Sequence, residues 1–371
     1  MTSRECLFLT GATGLVGRTL IQFLKENRPE RSIVALVRQP EQAVSLQEQG
    51  LEAVIGDLAR PRLGLFADDY ANLCEDVTEI LHVAADVRFD RSVEEARRVN
   101  VGGVREILEL ARQCGGLRKL GHVSTAYVNG CREGVFAEEP MAPGQTFINS
   151  YQQTKFEAEQ LVVEAMNELP ISIYRIPVVL ADSADGVISQ FGYFHHLLRL
   201  LPDTRIPVIP GHPDLLVDMV PADWTAASLA YIFDFRFTAG VVRHLCAGAE
   251  GSMRFSEVAE VICETMERHP SYPRGQLVRQ PRLVSIAEFD EFVRCSADGG
   301  LRRLVALLGH HVRLMGVRQE YRNEKAQADL EGSGLVLPEM RSFLTNALNY
   351  CLDNNWGRKS LEVVGAPVSS S

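Results

Sequence analysis

The chain has 371 residues, 46% of them hydrophobic and 23% charged, with a mean hydropathy of −0.03. That is enough apolar material for one large core plus a smaller unit, and it excludes disorder. With 38 basic and 48 acidic residues the formal net charge is −10, so no nucleic-acid partner is expected. The eight cysteines are scattered, without CxxC spacing, which argues against a zinc site or disulfide scaffold and for reduced thiols in a cytoplasmic protein. No run approaches the roughly 18 apolar residues of a membrane-spanning helix, and the amino terminus lacks the long apolar core of a signal peptide.

Residues 5–10 (ECLFLT) read as a strand entering the glycine-rich GATGLVG, and RTLIQFLKENRP continues as a helix that stops at Pro29. Further strands are expected at 32–38 (SIVALVR), 51–57 (LEAVIGD), 80–86 (ILHVAAD) and 119–128 (KLGHVSTAYV), with a long helix over 92–113. A helix over 149–166 leads to a strand over 171–182 that Pro177 interrupts or ends. Beyond 183 the alternation loosens. A strand is expected at 241–248 and a helix at 255–266, with mostly helical pattern over 281–350.

Short apolar strands alternating with helices predict an α/β fold: a Rossmann-type parallel sheet with helices on both faces and ligands at the carboxyl ends of its strands. The expected division is a cofactor domain over 1–182, a smaller, mostly helical substrate region over 183–360 with about 214–248 returning to the sheet, and a frayed tail over 361–371.

Thr10, Gly11, Thr13, Gly14, Leu15, Val16 and Gly17 belong to a glycine turn between strand and helix, the context required for a dinucleotide. Gly11 would make the tight turn, Gly14 would let amides reach the pyrophosphate, and Gly17 would let the helix lie against the sheet. Arg38 ends the second strand where an NAD enzyme would offer a carboxylate, and Arg18 follows Gly17. Arginines there would meet a 2′-phosphate, which favours NADP(H); the plainer reading of Arg38 is a solvated strand-end charge. Asp57, with Leu58, would reach the adenine amino group, and Ala84 and Ala85 would let the ribose approach the backbone.

Tyr151 and Lys155 stand four apart on a helix and share a face. A neighbouring ammonium would lower the tyrosine's pKa and suit it to an oxygen that gains charge during hydride transfer. Thr125 or Ser124, at the end of the fifth strand, would donate the second hydrogen bond.

These features resemble the extended short-chain dehydrogenase/reductases, with their TGxxGxxG turn, strand-end Ser/Thr and YxxxK. TGATGLVGRTL, ALVR, HVAADVRFD, RRVNVGGVREILELA, HVSTAYVNG, NSYQQTKFEAE, YRIPVV and VDMVPADW are similar to fatty acyl reductases and thioester reductase domains within that family. The resemblance covers about residues 5–230. It implies Thr125, Tyr151 and Lys155 as the catalytic set, Asn100 as a polar link between the central helix and the active-site backbone, and Pro177 and Val178 beside the nicotinamide. It further implies an NADPH-dependent reduction of an acyl thioester, on a carrier protein or coenzyme A, to an aldehyde, or on to the alcohol where the aldehyde is held through a cofactor exchange. The alternative is an NADP-dependent dehydrogenase, reductase or epimerase acting on a small-molecule hydroxyl or carbonyl.

The largely apolar segment 186–201 tilts the substrate toward an acyl chain, with Phe191, Tyr193 and Phe194 expected along a channel. His195, His196, His310 and His311 have no matching ligand spacing, so no metal is expected. The stretch 301–322 carries five arginines and no acid until Glu320. It would cover the core with its arginines exposed, or meet a membrane surface or an acidic carrier protein.

Overall fold

The computed structural model describes residues 5–200, 207–271, 280–296, 313–314 and 316–357. Strands β1 (Cys6–Thr10), β2 (Ser32–Val37), β3 (Glu52–Ile55), β4 (Glu79–His82), β5 (Lys119–Thr125), β7 (Ile171–Ile176) and β12 (Val242–His244) form one seven-stranded sheet in the order β12-β7-β5-β4-β1-β2-β3. Every pairing in it is parallel. The order reverses between β1 and β4, and at that switch point the crevice outside the strand ends receives ligands.

Alternate residues along each strand bury themselves on opposite faces. Leu7, Leu9, Ala35, Leu81, Val123 and Tyr174 pack with α1 (Leu15–Asn27) and α7 (Ala222–Phe235). Phe8, Val34, Ile80, Leu120 and Ile173 pack with α3 (Ala67–Asp76), α4 (Val93–Gln113) and α5 (Ser150–Ala165). A third cluster joins α9 (Phe255–Arg268) to the helix Met340–Asp353. At the amino-terminal edge of the sheet, Arg31 pairs with Glu79 at 3.0 Å and Asp234 at 2.5 Å, all three buried. Lys119 adds a contact to Glu79 at 3.1 Å.

Two expectations change. The fourth strand ends at His82, not near residue 86, because the Val83 and Ala84 amides turn onto the Thr10 hydroxyl, both at 3.2 Å. Pro177 ends β7, as expected, and Val178–Val179 pairs with Met219–Val220 outside the main sheet. The 281–350 region holds strands as well as helices: Arg282–Val284 pairs with Val208–Pro210, and Gln319–Tyr321 pairs with β6 (Gly134–Phe136). Residues 301–312, with two of the five arginines of the 301–322 stretch, and the tail 361–371 lie outside the described residues.

Candidate active site

The glycine turn is shaped by close approach. Gly11 has φ +80°, and a Cβ there would stand 2.8 Å from the Ala84 amide nitrogen. A Cβ on Gly17 would fall 2.0 Å from the Gly11 carbonyl oxygen, so only hydrogen fits between helix and turn. Gly14 is the N-cap of α1 and offers no side chain to the first amides; a Cβ on it would meet only the Gly11 carbonyl, at 3.3 Å. The helix therefore presents unclaimed N–H groups and its positive dipole end over an open face, which suits a pyrophosphate.

Thr10 is wholly buried, and its hydroxyl ties β1 to the loop after β4. It accepts from Val83 and Ala84, which leaves its own proton for His82 Nδ1 at 2.7 Å. Burial pushes His82 down to about 3 and keeps it neutral. Thr10 thus fixes the turn's neighbour, while Ala84 remains half-buried beside Gly11 and Ala85 half-buried after it. Asn100 locks the next stretch of the loop: its Oδ1 accepts from the Asp86 amide at 2.8 Å, and its Nδ2 donates to the Asp86 carbonyl and to Thr154 Oγ1. Asn100 joins α4, the loop and α5.

Thr125 ends β5, accepts from the Tyr127 amide at 3.3 Å, and stands near enough to Tyr151 to favour the ionised phenol. Asn149 caps α5, its Oδ1 accepting from the Gln152 amide, and so sets where Tyr151 and Lys155 begin their shared face. Lys155 is buried and donates to the Val123 carbonyl at 2.8 Å. Burial lowers it from 10.5 to about 8, with Glu159 acting in the opposite direction. Burial raises Tyr151 to about 12, only partly opposed by Thr125. This reverses the expected direction for the tyrosine: the ammonium is aimed at Val123, and desolvation of the phenol dominates.

Ser124 does not join Thr125. Strand alternation turns it toward α5, where its hydroxyl donates to Glu159 at 2.6 Å. Glu159 also receives Arg175 Nε at 3.1 Å, and neither member of the pair is exposed. His244 Nε2 accepts from Arg175 at 3.1 Å while its Nδ1 donates to the Arg322 carbonyl. The sequence reading missed this network and also Phe89, whose ring stacks on Tyr151 with centroids 5.4 Å apart. The four-residue step from Lys155 to Glu159 was the available signal for the former.

Arg18 and Arg38 are exposed on the cofactor edge, Arg18 Nε reaching the Thr13 carbonyl at 3.0 Å. Asp57 accepts from the Ala59 amide, and Leu58 packs into the core against Gly103. Val16 packs against the α1–α7 core and Val178 against the carboxyl-terminal cluster, so their side chains serve packing.

In the apolar segment Phe191 stacks on Tyr350 and Phe194 joins two clusters, so both face the carboxyl-terminal core; the Tyr193 side chain lies outside the described residues. His195 is buried, accepting from the Gly192 amide and donating to the Leu180 carbonyl. Among the described residues no cluster of three His, Cys, Asp or Glu side chains could hold a metal, and no helix is long and apolar enough to cross a membrane.

The chain is 29% identical over 260 residues to a glycine betaine reductase of Emericella nidulans, covering 62% of this chain and 20% of that one. It is 28% identical over 273 residues to a fatty acyl-CoA reductase of Drosophila melanogaster, covering 60% and 53%. The chain spans less than two thirds of the length of these relatives. By fold it superposes on the terminal R domain from the myxalamid PKS-NRPS biosynthetic pathway with a TM-score of 0.77, 24% identity and coverage of 96% and 93%. A thiolation-reductase di-domain from an archaeal non-ribosomal peptide synthetase follows at a TM-score of 0.72, 18% identity and coverage of 95% and 76%. Residues 9–229 match the NAD-binding family described as male sterility protein; with more than half of its length matched, the chain belongs to that family, a branch of the extended short-chain dehydrogenase/reductases.

Proposed function

We propose that the chain is an NADPH-dependent reductase of acyl thioesters that releases an aldehyde and a free thiol. The observation that carries this reading is the closeness of Thr125 to Tyr151, one helical turn from buried Lys155, at the carboxyl edge that also holds the open glycine turn. The acyl-CoA reductase among the relatives supports the substrate class. Exposed Arg18 and Arg38, flanking the cofactor edge, favour the 2′-phosphate of NADPH. Residues up to about 182 are assigned to the cofactor and later ones to the acyl group and its carrier.

When bound, NADPH supplies the hydride. The chain's own part lies at the carbonyl oxygen. Tyr151, held near 12, keeps its proton at neutral pH and donates to that oxygen together with Thr125 as negative charge builds. Lys155 places positive charge one helical turn away, and the same two hydroxyls hold the oxygen while the carbon–sulfur bond breaks and the departing thiolate takes a proton from solvent. Phe89 keeps the Tyr151 ring from swinging away.

The test is to incubate the protein with NADPH and a series of acyl-coenzyme A and acyl-carrier-protein substrates, following NADPH absorbance and thiol release together. Matched loss and release are expected. Turnover of ketones or aldehydes with no thiol from any thioester would overturn this reading in favour of a hydroxyl or carbonyl dehydrogenase.

A further inference from the structure

We propose that Glu159 is a positioning residue of this site: its buried carboxylate, locked by Ser124 and Arg175, keeps Lys155 charged and aimed at the Val123 carbonyl. The inference rests on the assignment of Lys155 to the cofactor side of the site.

Tyr151, Lys155 and Glu159 recur every four residues along one face of α5. The far end of that row is the most rigid. Glu159 receives Ser124 Oγ at 2.6 Å and Arg175 Nε at 3.1 and 3.2 Å, and both charged side chains are fully buried. Arg175 is itself held by the Glu139 carbonyl at 2.9 Å and by His244. A buried ion pair is weak support for stability, because desolvation offsets much of its attraction. One helical turn from a buried ammonium, however, a fixed carboxylate acts on a charge that has little water to stabilise it.

The other groups facing Lys155 do not supply that negative charge. His82 on β4 and His122 on β5 stand with ring centroids 5.5 Å apart, and both are held neutral by burial. Tyr151 keeps its proton, and α4 contributes the uncharged Asn100 to the adjoining turn. Arg175 on β7 has the same sign as Lys155 and is masked by Glu159 itself.

The experiment titrates NADPH binding by fluorescence from about pH 6 to about pH 10, in wild type, Glu159→Gln and Glu159→Asp. Wild-type affinity should fall as Lys155 loses its proton near pH 8. In Glu159→Gln the midpoint should move down by about one pH unit, with affinities converging at the acid end, and Glu159→Asp should restore most of the shift. A flat wild-type profile, an unchanged midpoint, or an equal loss at every pH would overturn the proposal. Should Glu159→Gln fail to fold with Arg175 unpaired, Glu159→Gln/Arg175→Met removes both charges and should show a smaller downward shift, since a repelling guanidinium goes with the carboxylate; a wild-type midpoint there counts against the proposal. Thioester turnover by wild type is measured alongside. If no thioester is reduced, the substrate reading fails, and the midpoint comparison still decides the role of Glu159.

Discussion

Thr10→Val tests the strand-end architecture on which the cofactor edge depends. Valine keeps the volume and the branched β-carbon, so packing is preserved and only the hydroxyl is lost. Three contacts go with it. The Val83 amide retains the Thr10 carbonyl at 3.3 Å, but the Ala84 amide and His82 Nδ1 lose the hydroxyl partner they have at 3.2 and 2.7 Å. An unsatisfied buried polar group costs about 1–3 kcal/mol. His82 is fully buried, whereas Ala84 is half-buried and water can replace part of its loss. The two together should cost about 2–4 kcal/mol, read as a lower urea midpoint at unchanged slope. Thr10→Ser keeps the hydroxyl and loses one methyl, about 1 kcal/mol. A valine variant within about 0.5 kcal/mol of wild type, or a serine variant as unstable as valine, would refute the reasoning.

Tyr151→Phe should bind NADPH almost as wild type yet lose about 100- to 1000-fold in kcat, the usual consequence of removing one donor to a developing oxyanion; near-normal turnover would reject its role. Arg38→Ala should weaken NADPH and leave NADH unchanged in a fluorescence titration, since only NADPH carries the 2′-phosphate. Stability should fall as pH drops below about 6.5. His82 is held near 3, with His122 and His244 also lowered by burial, so the unfolded chain takes up protons that the fold refuses through this window. Urea midpoints that stay level between about pH 6.5 and about pH 4.5 would contradict it.

The glycine turn could be read from sequence because its constraint is local: seven residues state where a Cβ cannot stand. The paired Tyr151 and Lys155 were legible for the same reason, since helical spacing alone puts them on one face. Ser124 and Thr125 were harder, because two hydroxyls in succession invite either choice, although the two-residue strand repeat already placed them on opposite faces. The limit of β4 escaped because it is set by the hydroxyl of Thr10, 73 residues from Val83. Arg175 carries no local mark at all in YRIPVV; its partners Glu159, Glu139 and His244 come from three separate segments. The direction of the Tyr151 shift was missed because spacing reports neighbours and not the extent of desolvation.

The Arg31–Asp234 contact spans 203 residues, and that reach has a kinetic meaning. A chain emerging from the ribosome presents Arg31 and Glu79 early, with β1, β2 and β4, but the second carboxylate arrives only with the end of α7. Until then a guanidinium and its neighbours must remain hydrated, which keeps the amino-terminal edge of the sheet loose and delays its cooperative closure. The folding unit accordingly outruns the segment that carries the family's signature: a fragment ending at residue 229 would hold the whole glycine turn and Lys155, yet lack Asp234 and the edge strand Val242–His244 that completes the sheet.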